Sequence, residues 1–152
     1  VRAFTKICAI PGVRLGYLVC ENKAVKERIK DQLPEWNLSV FAQRAGVAAV
    51  GEEDYRRKTV TFLKEERGYL VTQLEKLGIR VFPGEADFLL LYSELPLYEE
   101  LLKQGILIRD CSNFRGLGEG YYRIAVKTRG ENDRLLRALA GTCADKKERE
   151  GA

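Results

Sequence analysis

The stretch Gly78-Ile79-Arg80-Val81-Phe82-Pro83-Gly84-Glu85-Ala86-Asp87-Phe88-Leu89-Leu90-Leu91-Tyr92 decides the fold class. Before it, apolar residues recur at three- and four-residue steps; within it the period shifts toward two. Ile79 to Phe82 and Phe88 to Tyr92 read as strands, with Pro83-Gly84 as the turn between them. Upstream, the longest helical pattern runs from about Glu53 to Leu77. Val60, Leu63, Leu70, Leu74 and Leu77 form its apolar stripe. Gly78 suits the left-handed residue just past a helix end.

Working outward in both directions completes the pattern. Ala24 to Leu33 reads as a helix stopped by Pro34. Asn37 is expected to cap the next helix, which carries Val40, Phe41, Ala45, Val47 and Ala48. Leu97 to Gln104 reads as a short helix closed by Gly105, and Ile106 to Arg109 as a strand. A glycine-rich loop, Asp110 to Gly120, then leads to a strand at Tyr121 to Val126. Asn132 is expected to cap a final helix with Leu135, Leu136 and Leu139. Helices followed by a small sheet with flanking helices make an α+β chain. Arg14 to Cys20 looks like a short buried strand without a neighbour nearby in sequence. It is expected to belong to a sheet whose other strands are missing. Asp145 to Ala152 is charged, lacks a hydrophobic period, and reads as a frayed tail.

Composition narrows the function classes. The 152 residues are 45% hydrophobic, enough to bury a core. Lys plus Arg is 26 against 22 Asp plus Glu, so the net charge is only +4. The basic residues are dispersed among acids, which argues against a nucleic-acid partner. The absence of His excludes a Ser-His-Asp triad, a Cys-His dyad and any His-based metal site within the chain, and no metal is expected. The absence of Met means that the start was processed away or that this is a piece of a longer protein. No signal-like segment and no run near the roughly 18 apolar residues of a membrane span is present, so no membrane partner is expected. Cys8, Cys20, Cys111 and Cys143 lack C-x-x-C spacing and read as reduced thiols of a cytoplasmic protein.

Two places carry residues suited to chemistry. Lys6 is followed by apolar residues and by Pro11-Gly12, a turn that would bring Arg14 back toward it. A desolvated amine is a nucleophile, and a guanidinium grips phosphate with a fork. The ordinary alternative is an exposed Lys and Arg around a turn. Arg109 ends one strand, and Arg123 lies inside the apolar strand Tyr122-Arg123-Ile124-Ala125-Val126. Such an arginine alternates outward or pairs with an anion, and a carboxylate substrate would provide one. The glycines from Asn113 to Gly120 lack the G-x-G-x-x-G pattern of a dinucleotide loop. They suit a substrate-covering loop or an ordinary long connection. Trp36 reads as a core residue more than as a pocket wall.

The segment Thr5-Lys6, followed by Ala9-Ile10-Pro11-Gly12-Val13-Arg14-Leu15-Gly16-Tyr17, resembles the pyridoxal-phosphate lysine segment of fold-type-I enzymes. It resembles most the histidinol-phosphate aminotransferases and the threonine-phosphate decarboxylases of cobalamin synthesis. In that group a phosphate-binding Arg follows the lysine by eight residues, as Arg14 follows Lys6. Pro83 to Leu91 looks like the family's first small-domain strands. Ile106 to Phe114 and Gly120 to Val126 resemble the decarboxylase branch more than the aminotransferase branch.

The resemblance extends to about Leu139 and implies roles residue by residue. Lys6 would bond to pyridoxal phosphate, Arg14 would hold the cofactor phosphate, and Thr5 would lie beside it. Arg123 would bind the substrate carboxylate and Arg109 the substrate's phosphate. The implied fold is an aminotransferase-type small C-terminal domain with a short remnant of the large cofactor-binding domain. Residues 1–35 would be that remnant, 36–144 the connecting helices and small domain, and 145–152 a charged tail. The implied function is that of a threonine-phosphate decarboxylase-like enzyme acting on a small phosphorylated amino acid and forming aminopropanol phosphate. A histidinol-phosphate aminotransferase-like activity is the alternative, and a non-catalytic interaction domain the alternative from another class. The implied partners are the missing N-terminal half and, in the parent protein, a second copy as a homodimer. The chain alone is expected to have little activity. Ala3 and Asp87 depart from the pattern, standing where the family commonly has a hydroxyl residue and Asn.

Overall fold

A computed structural model describes the backbone of residues 1–150 and the side chains through Ala144. The chain divides into two compact units, Val1–Val60 and Thr61 onward. Each is described by itself.

In the first unit, β1 (Arg2–Ala3) pairs antiparallel with β2 (Gly16–Tyr17), Arg2 opposite Tyr17 and Ala3 opposite Gly16. A Cβ on Gly16 would lie 2.8 Å from the carbonyl oxygen of Arg2, so this approach needs glycine. Helix α1 (Lys23–Lys30) starts at Asn22, whose side chain accepts from the Val25 N–H at 3.1 Å. Helix α2 (Val40–Gly51) is capped by Ser39, not by the expected Asn37. Ser39 has the extended backbone a cap requires, and its hydroxyl accepts from the Ala42 N–H at 3.1 Å. Buried Ala42 and Gly46 offer α2's small face to Leu15, and a Cβ on Gly46 would meet Leu15 Cδ2 at 2.6 Å.

Two expectations for this unit are corrected. The strand expected over Arg14 to Cys20 is only Gly16–Tyr17 and is exposed rather than buried. Its one neighbour pairs over two residues, leaving Leu18 and Val19 outside the ladder and exposed. Trp36 is not in a core: it is 94% exposed, on a left-handed backbone with φ of 57°.

Helix α3 (Glu53–Lys76) runs across the division between the units. The second unit continues with β3 (Arg80–Val81), β4 (Phe88–Tyr92), α4 (Leu97–Lys103), β5 (Arg109–Asp110), β6 (Tyr121–Ala125) and α5 (Arg129–Glu150). Its antiparallel sheet has the order β3-β4-β6-β5. Leu89 and Leu91 of β4 and Tyr122 and Ile124 of β6 point into a core with Leu70, Leu74, Leu97, Leu101 and Leu139. Each such leucine contributes about 1.5–3 kcal/mol on burial. The alternate residues of β4 and β6 lie on the opposite face of the sheet, where Phe88, Arg123 and Ala125 are exposed.

The α+β class and the strand at Phe88–Tyr92 are as the sequence predicts. Gly78 and Gly105 follow α3 and α4 with φ of 78° and 70°. Along α3 the expected stripe holds at Leu70 and Leu74, while Val60 is exposed. The strand expected over Ile106 to Arg109 is instead Arg109–Asp110. The Ile106 N–H is spent on the Leu101 carbonyl (2.9 Å) in closing α4, and so stays out of the ladder.

Asn132 is not the cap of α5. It lies one turn inside the helix, 1% exposed, with its N–H on the Thr128 carbonyl at 2.9 Å. Thr128 and Glu131 make the start: the Glu131 carboxylate accepts from the Thr128 N–H (3.3 Å) and hydroxyl (2.7 Å). Asn132 instead donates to the Lys127 carbonyl and to the buried Glu66 carboxylate, both at 2.8 Å. Arg129 also binds Glu66, at 2.9 Å, so α3 and α5 are joined through one carboxylate. Helix α5 includes 145–150 of the expected tail, and residues 151–152 lie outside the described residues.

Candidate functional site

The first unit holds Lys6, Thr5 and Arg14 in the loop between β1 and β2. The Phe4 N–H donates to the Leu15 carbonyl at 3.1 Å and closes the loop at its base. Inside it, Cys8 N–H binds the Phe4 carbonyl at 3.1 Å, Ala9 N–H the Lys6 carbonyl at 3.0 Å, and Val13 N–H the Ile10 carbonyl at 3.2 Å. Leu15, seated on Gly46, ties the loop to α2.

Lys6 and Arg14 are both exposed and Thr5 is half-buried. Arg14 has φ of 56° and ψ of 49°, and its guanidinium donates to the Pro11 carbonyl at 3.2 Å. Ala9 is also left-handed, with φ of 53°. Each such residue costs about 1–3 kcal/mol relative to a relaxed backbone. Glycine would relieve that cost at position 14 but would remove the guanidinium. An amine, a hydroxyl and a guanidinium on one closed loop suit a ligand with an aldehyde and a phosphate.

The second unit brings Arg109 and Arg123 together. They are direct partners in the β5–β6 ladder, on one face of the sheet. Like charges directly opposite one another are unfavourable unless an anion or ring offsets them. Arg123 lies over the Phe88 ring, 4.9 Å from its centroid, and Arg109 over Phe114 at 5.3 Å. Arg109 also donates to the Asn113 side chain at 3.1 Å. Among the described residues no carboxylate forms an ion pair with either guanidinium. The adjacent Asp110 is engaged by the Ser112 N–H (2.9 Å) and hydroxyl (2.8 Å), which hold its carboxyl below the usual range. Burial pushes the Cys111 thiol up, against the pull of Arg123 and Arg109. The two arginines, with no paired carboxylate among the described residues, make a doubly cationic surface suited to an anion.

The glycine-rich loop is a hydrogen-bonded connection. Phe114 N–H binds the Cys111 carbonyl and Leu117 N–H the Phe114 carbonyl, each at 3.0 Å. Gly120, with φ of 84°, sits where a Cβ would lie 2.7 Å from the Ser93 carbonyl. Sequence reasoning did not single out Phe88 or Phe114, because only the register of the sheet places them beside the arginines.

Residues 1–139 match the family described as aminotransferase class I and II. A threonine-phosphate decarboxylase of Salmonella typhimurium is 40% identical over 143 residues, covering 91% of this chain and 39% of that protein. A histidinol-phosphate aminotransferase of Methanosarcina mazei is 34% identical over 142 residues, covering 91% and 38%. Among solved structures, a histidinol-phosphate aminotransferase from Clostridium acetobutylicum is similar with a TM-score of 0.90 and 37% identity, over 95% of this chain and 45% of that one. The L-threonine-O-3-phosphate decarboxylase from Porphyromonas gingivalis is similar with a TM-score of 0.75 and 30% identity, over 90% and 43%. The chain thus spans about two fifths of the length of the curated relatives it matches. By the match over residues 1–139, the chain belongs to the class I and II aminotransferases, a family of pyridoxal-phosphate enzymes.

Proposed function

We propose that this chain carries the cofactor lysine and the small domain of a pyridoxal-phosphate enzyme that decarboxylates threonine phosphate to aminopropanol phosphate. The observation that supports the reading is the closed β1–β2 loop, on which both Lys6 and a left-handed Arg14 lie. The 40% identity with the Salmonella typhimurium decarboxylase supports the choice of reaction. A second reading, transamination of histidinol phosphate, is supported by the TM-score of 0.90 with the Clostridium acetobutylicum aminotransferase.

When bound, pyridoxal phosphate supplies an aldehyde for an amine and a ring that withdraws electrons from the substrate's α-carbon. Lys6 Nζ would be the amine that holds the aldehyde end of the cofactor. The Arg14 guanidinium would hold the phosphate, with the Thr5 hydroxyl beside it. Arg123 clamps the substrate α-carboxylate with a planar fork, and Arg109 holds the substrate phosphate. The fork decides which α-carbon bond breaks by fixing the carboxylate's direction. In decarboxylation the bond to the carboxylate is the one aligned. In transamination it is the bond to hydrogen, and Lys6 Nζ, once released from the cofactor by the substrate amine, would accept that proton.

Residues 1–35 are proposed as part of the large cofactor-binding domain, and 36–144 as connecting helices and small domain. The remaining length of such a protein is the proposed partner, in a cytoplasmic homodimer. No helix among the described residues is long and apolar enough to cross a membrane.

The test is to mix the chain with pyridoxal phosphate, reduce with borohydride and map the labelled peptide. A single label on Lys6, lost in Lys6→Ala, is the expected result. Labels scattered over surface lysines in a family-length protein carrying this sequence would overturn the reading. In that protein, release of carbon dioxide from threonine phosphate separates decarboxylation from amino transfer to an oxo acid.

A further inference from the structure

Arg67 of α3 reaches across to the turn that precedes β4. One terminal guanidinium nitrogen donates to the Gly84 carbonyl and the other to the Ala86 carbonyl. Its Nε–H is buried and has no hydrogen-bond partner among the described residues. An orphaned N–H costs stability, so this geometry is held for the fork at the other end of the group. Glu66, next to Arg67 along α3, is locked by Arg129 and Asn132, which fixes the helix surface from which Arg67 extends.

The clamped turn ends at Asp87, whose carbonyl accepts from the Val126 N–H at 2.9 Å. Phe88 follows, pairs with Ala125, and presents its ring to the Arg123 guanidinium. Arg67 thus fixes the point at which the chain joins β4, and that point sets where the ring stands. The exposed Arg123 side chain rests on this ring, and no ion pair among the described residues orients it.

We infer that Arg67 is a positioning residue for Arg123, acting through the 84–87 turn and the Phe88 ring. The inference rests on the reading of Arg123 as the carboxylate-binding fork. It adds a group outside the anion site that sets the fork's direction.

The experiment uses the full chain, O-phospho-L-threonine as the probe, and three variants. Arg67→Lys keeps the charge but lacks the planar fork whose two nitrogens span the Gly84 and Ala86 carbonyls. Phe88→Leu removes the ring downstream of an intact clamp. Arg123→Lys removes the fork itself. Binding is followed by NMR titration at low salt, together with the ring-current shift that Phe88 imposes on the Arg123 side-chain protons. Arg123→Lys is expected to weaken binding about tenfold or more. Arg67→Lys and Phe88→Leu are each expected to abolish the ring-current shift and weaken binding about threefold or more, with the wild-type melting temperature retained.

Retention of the shift in Arg67→Lys overturns the inference. So does unchanged binding in Arg67→Lys when Arg123→Lys binds poorly. If Arg123→Lys binds as the wild type does, the anion reading fails, and the ring-current shift alone then judges the clamp. If Arg67→Lys does not fold, Phe88→Leu decides: weakened binding supports the path through the ring, and unchanged binding overturns it.

Discussion

The two units solve different problems with different amounts of burial. In the second, β4 and β6 each bury alternate side chains against helices, and seven leucines from four elements are fully enclosed among the described residues. In the first, Leu15, Ala42 and Gly46 are the buried positions, while Val40, Phe41, Val47 and Val50 are exposed. The arginines proposed to bind an anion stand on the densely packed sheet, and the amine stands on a thinly packed loop. A planar fork needs a rigid base to fix its direction. The loop obtains its shape from backbone hydrogen bonds and close glycine contacts instead.

The largest expected effect tests the packing contrast. Leu91→Ala, at a fully buried site in β4, is expected to cost about 2–5 kcal/mol in denaturant unfolding. Val47→Ala, at an exposed position of α2, is expected to change stability by no more than about 0.5 kcal/mol. Equal costs would erase the distinction between the units.

A smaller effect is expected in the loop. Gly16→Ala puts a Cβ against the Arg2 carbonyl at 2.8 Å and must spread β1 from β2. Selective borohydride labelling of Lys6 is expected to fall about tenfold, while thermal unfolding of the second unit stays as in the wild type. Unchanged labelling would show that the hairpin does not hold the lysine.

The smallest effect concerns pH. Lys127 and the two Thr128 donors hold the Glu131 carboxyl down to about 2, against an ordinary value of 4.5. A depressed folded-state pKa contributes stability above the unfolded value, and that contribution is lost as pH falls toward the folded one. Melting temperature should therefore drop on acidification between about pH 5 and about pH 2, and Glu131→Gln should flatten part of that drop. Glu66, lowered chiefly by its hydrogen bond with Arg129, acts in the same direction. A profile identical in Glu131→Gln and wild type would assign the acid sensitivity elsewhere.

Much of this was legible along the chain where the signal is local. The apolar runs Phe-Leu-Leu-Leu-Tyr and Tyr-Tyr-Arg-Ile-Ala, each bordered by turn residues, mark β4 and β6, whereas the alternation of buried and exposed positions along them is seen only in the structure. Thr128-x-x-Glu131 is also a local signal, but Asn132, whose type suits a cap equally well, competes with it along the chain. What drew Asn132 inside was Glu66, a partner on another helix. Ser39 was likewise preferred to Asn37 by a backbone conformation that residue type alone does not set.

By itself the sequence determined the α+β class, the long helix, the two main strands, and an amine eight residues before a guanidinium. Periodicity and spacing are properties of neighbours in the chain, so a linear reading captures them. Only the tertiary structure decided that Arg109 stands opposite Arg123, that Phe88 lies beneath one and Phe114 beneath the other, and that Arg67 holds the turn before β4. Those relations come from strand register and from helices packed on a sheet, which bring distant residues within contact distance and leave no local mark in the chain.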